Sequence, residues 1–299
     1  MVSVVGLGMR EQLKLLKPLT AGASIESQRK AQNFAGELGE KAVASKLVTA
    51  DEHFDNFKAA VITPKEFFDE DRALLYLHGG AYVAGGIEYS LGFGSVLAAR
   101  SGMTTLCAAY RLAPEHVFPC AIDDALEAYE RLLSKGYSPD NISFVGESAG
   151  GGLLFALLLR LKDEGKPMPR STVALSPWTD LTLSLPSYTE NADVDPTLSL
   201  ESLKFCARLY ASYDLDNPYV SPLYGNLAGL PRSLIIAGSC ELLLDDAREM
   251  AKKLSASGCD CTLVISEGMW HVFPLFGVPE SRAALDNIDS FLKETEQHE

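Results

Sequence analysis

The chain has 299 residues, of which 47% are hydrophobic and 22% charged, as in an ordinary globular protein. Its formal net charge of −14 argues against nucleic acid and anionic membrane surfaces as partners, because both require basic patches. No apolar run approaches the roughly 18 residues of a membrane span, and the N-terminus lacks the features of a secretory signal. We therefore expect a cytoplasmic protein with one large domain and an accessory lobe, without a membrane span.

Six cysteines are scattered along the chain, which fits a cytoplasmic protein. Several lie in apolar segments, so we expect them to be small core residues. Cys259 and Cys261 form a C-x-C pair, which lacks the ligand spacing of a structural zinc site. The sequence therefore predicts no metal site.

Strands and helices alternate along the middle and end of the chain. Strands are predicted at 73–77, 104–109, 142–145, 172–175, 234–237 and 262–266. Helices are predicted between and after them at 121–135, 151–164, 246–257 and 281–295. This alternation is typical of an α/β fold, with a mostly parallel central sheet and helices on both of its faces.

Two stretches interrupt the alternation. Residues 8–40 are predicted to form two helices, and residues 178–225, with a predicted helix at 199–213, separate two core strands by more than a crossover needs. We interpret both as a helical cap over the carboxyl edge of the sheet, where open α/β folds bind ligands; the alternative is helical decoration without substrate contact. The predicted division is an N-terminal cap segment at 1–48, a first core part at 49–177, a cap insertion at 178–225 and a second core part at 226–299.

The run Gly146-Glu147-Ser148-Ala149-Gly150 lies where a predicted strand meets a predicted helix. G-x-S-x-G in this setting is typical of a nucleophile elbow, a sharp turn that leaves the serine hydroxyl exposed. Glycines are needed because a Cβ at either position would collide with the neighbouring strand or helix. The motif also arises by chance, so the alternative is a turn without chemistry. The β-prone residues before it and the apolar run after it favour Ser148 as a nucleophile.

A serine hydroxyl needs a base to take its proton, and folds with a nucleophile elbow place serine, acid and histidine in that order along the chain. His53, His78 and His116 precede the serine, and His298 lies on the C-terminal tail. His271 alone follows the last predicted strand in a loop, so it is the predicted base. The alternative is a buried, hydrogen-bonded histidine beside aromatic neighbours.

The acid that orients this base should follow the predicted strand at 234–237. Glu241, Asp245 and Asp246 are the candidates. Glu241 is nearest to the strand end, whereas the two aspartates precede a helix and suit its N-terminus. We therefore predict that Glu241 fixes the imidazole tautomer and stabilises the imidazolium, with Asp245 as the alternative.

Acyl transfer also needs hydrogen-bond donors for a developing oxyanion. The glycine-rich run after the strand at 73–77 could supply them from the backbone N–H groups of Gly79, Gly80 and Ala81, joined by that of Ala149. His78, which opens this run, is expected to brace the loop rather than act as a base. The alternative is a plain glycine turn.

Together these motifs resemble the hormone-sensitive-lipase-like branch of the α/β-hydrolase esterases. The matching runs are His78-Gly79-Gly80-Ala81-Tyr82, Tyr110-Arg111-Leu112-Ala113-Pro114-Glu115, Phe118-Pro119, Gly146-Glu147-Ser148-Ala149-Gly150-Gly151, Ser176-Pro177-Trp178-Thr179-Asp180 and Trp270-His271-Val272-Phe273. The resemblance implies a triad of Ser148, Glu241 and His271, an oxyanion loop after His78 and a cap. It also implies hydrolysis of short-chain carboxylic esters without a cofactor.

The chain departs from the family pattern at three positions. Ala81 replaces the third glycine of the oxyanion loop, which should be harmless because alanine still donates its N–H. The acid is Glu241 followed by Leu242, where the family commonly has aspartate followed by proline. Glu147 replaces the commoner aspartate of the elbow.

We thus expect a serine carboxylesterase that acts on a small-molecule acyl ester. Tyr82, Trp178 and residues of the cap would line the substrate pocket, and the alternative for each of the two aromatic residues is a place in the core. One alternative is deacetylation or acyl transfer on an acylated sugar or small metabolite by the same triad; another is a small-molecule receptor on this scaffold. Acetate to butyrate esters are the expected substrates. The alcohol moiety and the oligomeric state stay open, and a homodimer is compatible with the sequence.

Overall fold

Eight strands form one sheet within residues 2–20, 22–66 and 68–294, which the computed structural model describes. The strands are β1 (Leu47–His53), β2 (Lys58–Pro64), β3 (Asp69–Leu77), β4 (Met103–Ala109), β5 (Ile142–Glu147), β6 (Ser171–Leu175), β7 (Arg232–Gly238) and β8 (Cys261–Ser266). Their order is β1-β2-β4-β3-β5-β6-β7-β8. β2 pairs antiparallel with β1 and β4, and the other neighbours are parallel, which confirms the predicted α/β fold.

Helices cover both faces of this sheet. They are α1 (Val4–Thr20), α2 (Ile25–Val43), α3 (Ile87–Ser101), α4 (Cys120–Ser134), α5 (Ala149–Asp163), α6 (Ser187–Glu190), α7 (Leu200–Ala211), α8 (Leu244–Ala256) and α9 (Pro279–Lys293). The apolar sides of α4, α5 and α8 bury one face, and those of α3 and α9 bury the other. In the described part of the chain, no helix is long and apolar enough to cross a membrane.

The sequence-based elements differ from the observed ones at several places. Strands β1 and β2 and helix α3 were not predicted. The last predicted helix reached residue 295, which lies outside the described residues; the described helix ends at Lys293. Of the six cysteines that were expected in the core, half are buried and half are only partly so, the latter being Cys120, Cys240 and Cys261.

The register of the parallel strands brings their carboxyl ends to one edge. Leu77 at the end of β3 lies beside Gly146 of β5, and Glu147 lies beside Leu175 at the end of β6. Gly238 at the end of β7 lies beside Ser266 at the end of β8. Loops that leave these strands therefore start close together, although their residues are far apart in sequence.

Two glycines let the N-terminal helix α2 lie directly on α3. A Cβ at Gly36 would lie 2.2 Å from the carbonyl oxygen of Glu88, and one at Gly92 would lie 2.6 Å from the Cα of Gly36. Neither position has room for a side chain, so the helix backbones touch at this crossing. The contact places α2 above the loop that precedes α3.

Arg29 of α2 fastens the same helix to the core. Its guanidinium pairs with Glu115 at 2.7 Å and donates hydrogen bonds to the carbonyl oxygens of Val83 and Ala113 at 2.8 and 3.0 Å. The hydrogen bond from Arg29 lowers the pKa of the Glu115 carboxyl to about 2. Arg29 thereby joins α2 to two loops at the carboxyl edge of the sheet.

Candidate active site

Ser148 lies on a strained corner between β5 and α5. Its backbone has φ 56° and ψ −122°, a region that non-glycine residues seldom adopt. A Cβ at Gly146 would lie 2.4 Å from the carbonyl oxygen of Gly150, and one at Gly150 would lie 2.0 Å from that of Leu77. The turn therefore requires both glycines. It places Ser148 at the N-terminus of α5.

The imidazole of His271 meets the hydroxyl of Ser148. The distance from His271 Nε2 to Ser148 Oγ is 2.9 Å, and the two residues are 5% and 8% exposed. His53 and His116 are exposed on the surface, and His298 lies outside the described residues. The structure thus brings together the serine and the histidine that the sequence analysis selected.

Glu241 is the carboxylate that faces His271. Its Oε2 lies 3.5 Å from His271 Nδ1, too long for a normal hydrogen bond but within range of an ion pair. His271 Nδ1 and Glu241 Oε1 are buried and make no hydrogen bond to another described residue. Such contacts are often long before a substrate binds and shorten afterwards. Glu241 is therefore positioned to orient the imidazole.

The alternative acids have other contacts. Asp245 pairs with Arg248 at 3.1 Å and accepts a hydrogen bond from the backbone N–H of Ser187. Asp246 is fully buried and accepts hydrogen bonds from the N–H groups of residues 179 and 180. Both aspartates therefore hold the insertion against α8, and neither contacts the imidazole.

Charge around the imidazole favours its protonated form. Burial lowers the pKa of His271, but the nearby carboxyl group of Glu241, with smaller effects of Asp195 and Glu147, raises it above 6.5 overall. Burial raises the pKa of the Glu241 carboxyl, against the opposing effect of His271. The positive charge that His271 would acquire as a base is thus stabilised by nearby carboxyl groups.

Ser176 joins the acid to the histidine loop, a role that the sequence analysis missed. Its hydroxyl donates to Glu241 Oε2 at 2.8 Å and accepts from the N–H of Val272 at 3.0 Å. Asp195 is a second missed residue, because it accepts from the N–H of Leu242 beside the acid. The position of Ser176 directly after β6 was a signal that could have identified it, since strand ends meet at this edge.

The predicted oxyanion loop is present, but one of its donors is already used. The N–H of Gly79 donates to Glu147 Oε1 at 2.5 Å, so we correct the prediction that Gly79 contributes to an oxyanion hole. The N–H groups of Gly80, Ala81 and Ala149 donate to no described residue. Positive φ angles of 115° and 53° at Gly80 and Ala81 turn the loop sharply at this point.

Glu147 is a buried carboxyl group that holds the oxyanion loop. Besides the Gly79 N–H, its Oε1 accepts a hydrogen bond from the hydroxyl of Tyr76 at 3.3 Å. Burial raises the pKa of Glu147 from 4.5 to about 7, against the lowering effect of the Gly79 N–H. The elbow and the loop are therefore joined by a group that changes charge near neutral pH.

We expect the variant Glu147→Gln to change how stability depends on pH. In the unfolded wild type the carboxyl ionises near pH 4.5, whereas the native state keeps its proton up to about pH 7, so the free energy of unfolding falls between these values. At 1.36 kcal/mol per pKa unit the loss is about 3 kcal/mol. Urea unfolding of both proteins at pH 4 and pH 8 should show this extra loss only in the wild type; parallel pH curves would contradict it.

A cavity of about 320 Å³ surrounds the reacting groups. It is lined by Ser148, His271 and the loop residues Gly80 and Ala81, and also by residues of α2 and of 197–206. Both interrupting stretches of the sequence therefore contribute to its walls. An ester carbonyl placed here would lie between a serine hydroxyl and unpaired backbone N–H groups.

Tyr82 and Trp178 are not among the residues that line this cavity. Tyr82 is 1% exposed and stacks on Tyr210 with ring centroids 3.9 Å apart, because the chain turns inward at its positive φ. Trp178 is fully buried. The prediction that Tyr82 and Trp178 line the substrate pocket is corrected accordingly. His78 is buried and stacks on Tyr110, and burial lowers its pKa to about 4, as suits the predicted bracing role.

Within the described residues, no group of three or more His, Cys, Asp or Glu side chains could hold a metal ion. The groups that the site offers are a hydroxyl, an imidazole, carboxyl groups and backbone N–H donors. This set can carry out nucleophilic acyl transfer.

Comparisons with known proteins agree with this chemistry. Residues 74–275 match the family described as alpha/beta hydrolase fold. An acetyl-hydrolase of Streptomyces hygroscopicus is 37% identical, over 75% of this chain and 76% of that protein. An esterase of Acinetobacter venetianus is 36% identical over 73% of each chain, and an ethyl acetate hydrolase of Pseudomonas putida is 33% identical over 69% of this chain and 67% of that protein.

Solved structures are similar over nearly the whole chain. An esterase from the bacterial hormone-sensitive lipase family has a TM-score of 0.87 and 34% identity, and covers 98% of both chains. EstE5 in a crystal soaked with p-nitrophenyl butyrate has a TM-score of 0.89 and 33% identity, over 97% of this chain and 98% of that one. The chain therefore belongs to the alpha/beta hydrolase fold family, as a hormone-sensitive-lipase-like carboxylic ester hydrolase.

Proposed function

We propose that this hydrolase acts through an acyl-enzyme on Ser148 and prefers short-chain carboxylic esters. The contact of 2.9 Å between His271 Nε2 and Ser148 Oγ, on a strained elbow, is the observation that carries the proposal. A serine hydroxyl is a weak nucleophile until an adjacent base takes its proton.

In the proposed first step, Ser148 Oγ attacks the ester carbonyl carbon while its proton passes to His271 Nε2. Glu241 stabilises the imidazolium from the Nδ1 side. The oxyanion of the tetrahedral intermediate accepts hydrogen bonds from the N–H groups of Gly80, Ala81 and Ala149. The carbonyl then re-forms, and the bond to the alkoxy oxygen breaks as this oxygen takes the proton from His271. Water repeats the sequence on the acyl-enzyme and releases the acid.

The preference for short acyl chains is supported by the walls of the cavity and by the relatives. Leu198, Leu203 and Cys206 of the insertion line the cavity together with Ser148, and its volume is only about 320 Å³. The similar proteins include an acetyl-hydrolase and an ethyl acetate hydrolase.

We also propose the division predicted from the sequence, in which 1–48 and 178–225 form the cap over a core made of 49–177 and 226–299.

Covalent labelling tests the acyl-enzyme proposal. A fluorophosphonate should modify Ser148 in the native protein, which peptide mass spectrometry would locate, because the reagent needs an activated serine. Heat-denatured protein should stay unlabelled and serves as the control. A native protein that remains unlabelled at Ser148 would favour the receptor interpretation of the scaffold.

The acyl preference can be measured with p-nitrophenyl esters from acetate to decanoate. We expect kcat/KM to be highest between acetate and butyrate, since the cavity of about 320 Å³ that the insertion lines leaves limited room for a longer acyl chain. Steady-state rates at a fixed pH give the comparison. A maximum at decanoate would contradict the proposed short-chain preference.

A further inference from the structure

A second depression lies next to the catalytic cavity, between α2 and α3. This α2–α3 groove has a volume of about 440 Å³, and its walls are largely apolar. The residues that line it include Ala35, Gly39, Phe93, Val96, Leu275 and Phe276. It adjoins the crossing at which α2 and α3 touch, because Gly36 and Gly92 also line it.

The groove meets the catalytic cavity at the imidazole. His271 and Val272 line both spaces, as do Tyr89 and Thr197. Ser148 and the loop residues Gly80 and Ala81, by contrast, line the catalytic cavity and not the groove. The groove therefore opens on the side of His271 rather than on the side of the nucleophile.

The direction of proton transfer decides which part of an ester could extend into the groove. In the tetrahedral intermediate the acyl chain stays bonded to the carbon that Ser148 holds, whereas the alkoxy oxygen must reach His271 Nε2 to receive its proton. The leaving group thus points toward the imidazole, and a long alkyl group on it would continue past His271. The groove begins at this place.

From this geometry we propose that the α2–α3 groove binds the alkyl part of the leaving alcohol. The preferred substrates are then short-acyl esters of longer, apolar alcohols. This assignment rests on the proposed acyl-enzyme mechanism. Apart from the imidazole of His271, the described residues that line the groove carry no charged side chain, so an alkyl group gains free energy there by leaving water, whereas a sugar would lose hydrogen bonds.

Two ester series separate the alcohol side from the acyl side. In the wild type, kcat/KM should rise from methyl to butyl to hexyl acetate by up to about fourfold per buried methylene. All acetates form the same acetyl-enzyme, so this series reports on the leaving alcohol alone. Methyl hexanoate carries its extra methylenes on the acyl side instead. A flat or falling acetate series would overturn the assignment.

Matched variants on α2 locate the binding surface. Ala35→Phe places a large ring in the groove from an exposed helix position, and Leu38→Phe places the same ring on the outer surface, where Leu38 is 54% exposed. We expect Ala35→Phe to lower the kcat/KM ratio of hexyl acetate to methyl acetate at least about tenfold, because it excludes buried methylenes. Leu38→Phe should leave this ratio unchanged. Val96→Phe fills the groove from the opposite wall and should act like Ala35→Phe.

A ratio of two kcat/KM values that are measured on the same protein sample does not depend on the fraction of the enzyme that is active. If Ala35→Phe and Val96→Phe lower the ratio of methyl hexanoate to methyl acetate instead, the groove holds the acyl chain and the assignment is wrong. If they change neither ratio, alkyl groups bind elsewhere, and the assignment is wrong as well. Absence of fluorophosphonate labelling at Ser148 would show separately that the underlying mechanism fails.

Discussion

Replacing Ser148 with alanine is expected to lower kcat/KM for p-nitrophenyl acetate by about 10⁴ to 10⁶, the loss seen when a serine triad is broken. The hydroxyl is the group that would form the acyl-enzyme, and it is the group that His271 Nε2 contacts. The oxyanion donors and the cavity would remain, so a small residual rate is expected. Initial rates at several enzyme concentrations measure the difference.

Ser176→Ala is the matched control for this experiment. Ser176 is also a buried serine of the site, but it contacts Glu241 and Val272 rather than the reacting atoms. We expect a loss of less than about a hundredfold, because the acid loses the hydrogen bond from the Ser176 hydroxyl while the nucleophile and base remain. A Ser148→Ala protein that keeps most of the activity and unfolds normally would rule out the acyl-enzyme mechanism.

The reacting groups could be selected from sequence because each carries a local signal. Ser148 lies in a five-residue motif whose glycines have a steric purpose, since Gly146 and Gly150 have no room for a Cβ. His271 and Glu241 follow the last two strands, and parallel strands end at one edge of a sheet. The expected order of serine, acid and histidine along the chain then left few candidates for the acid and for the base.

The strands and the helix that the sequence analysis did not predict have weaker local sequence patterns. Strand β1 (Leu47–His53) exposes most of its side chains at the edge of the sheet, so it lacks an alternating apolar pattern. Helix α3 (Ile87–Ser101) places Gly92 and other small residues where its neighbours pack closely, which hides its helical periodicity. Both features depend on partners that are distant in sequence.

The corrected site residues also depend on long-range contacts. Gly79 lies in a glycine-rich loop that is typical of oxyanion holes. Its N–H, however, donates a hydrogen bond to the carboxyl group of Glu147, 68 residues away in the sequence. Tyr82 lies in the oxyanion loop, but its backbone has a positive φ and its ring stacks on that of Tyr210 in the insertion. A motif identifies which loop forms the site, whereas tertiary packing decides which atoms of that loop face the substrate.

Glu241→Gln is expected to lower kcat/KM by about 10³ to 10⁴, because a neutral amide can hold the imidazole in the wrong tautomer and does not stabilise its positive charge. The wild type should lose activity as the pH falls through the pKa of His271, which is above 6.5, since a protonated imidazole cannot act as a base. The carboxylate of Glu241 helps to raise this pKa, so the acid limb of the variant should move to lower pH.

Asp245→Asn is the control that separates the two candidate acids. Asp245 contacts Arg248 and the N–H of Ser187 but not His271, so its loss should change kcat/KM by less than about threefold and leave the acid limb in place. The comparison requires pH profiles of kcat/KM for all three proteins. If Asp245→Asn is the crippled variant, or if Glu241→Gln loses activity without moving the acid limb, then Glu241 does not act on the imidazole. A carboxylate 3.5 Å from His271 Nδ1 must affect both the rate and the pH at which the base loses its function.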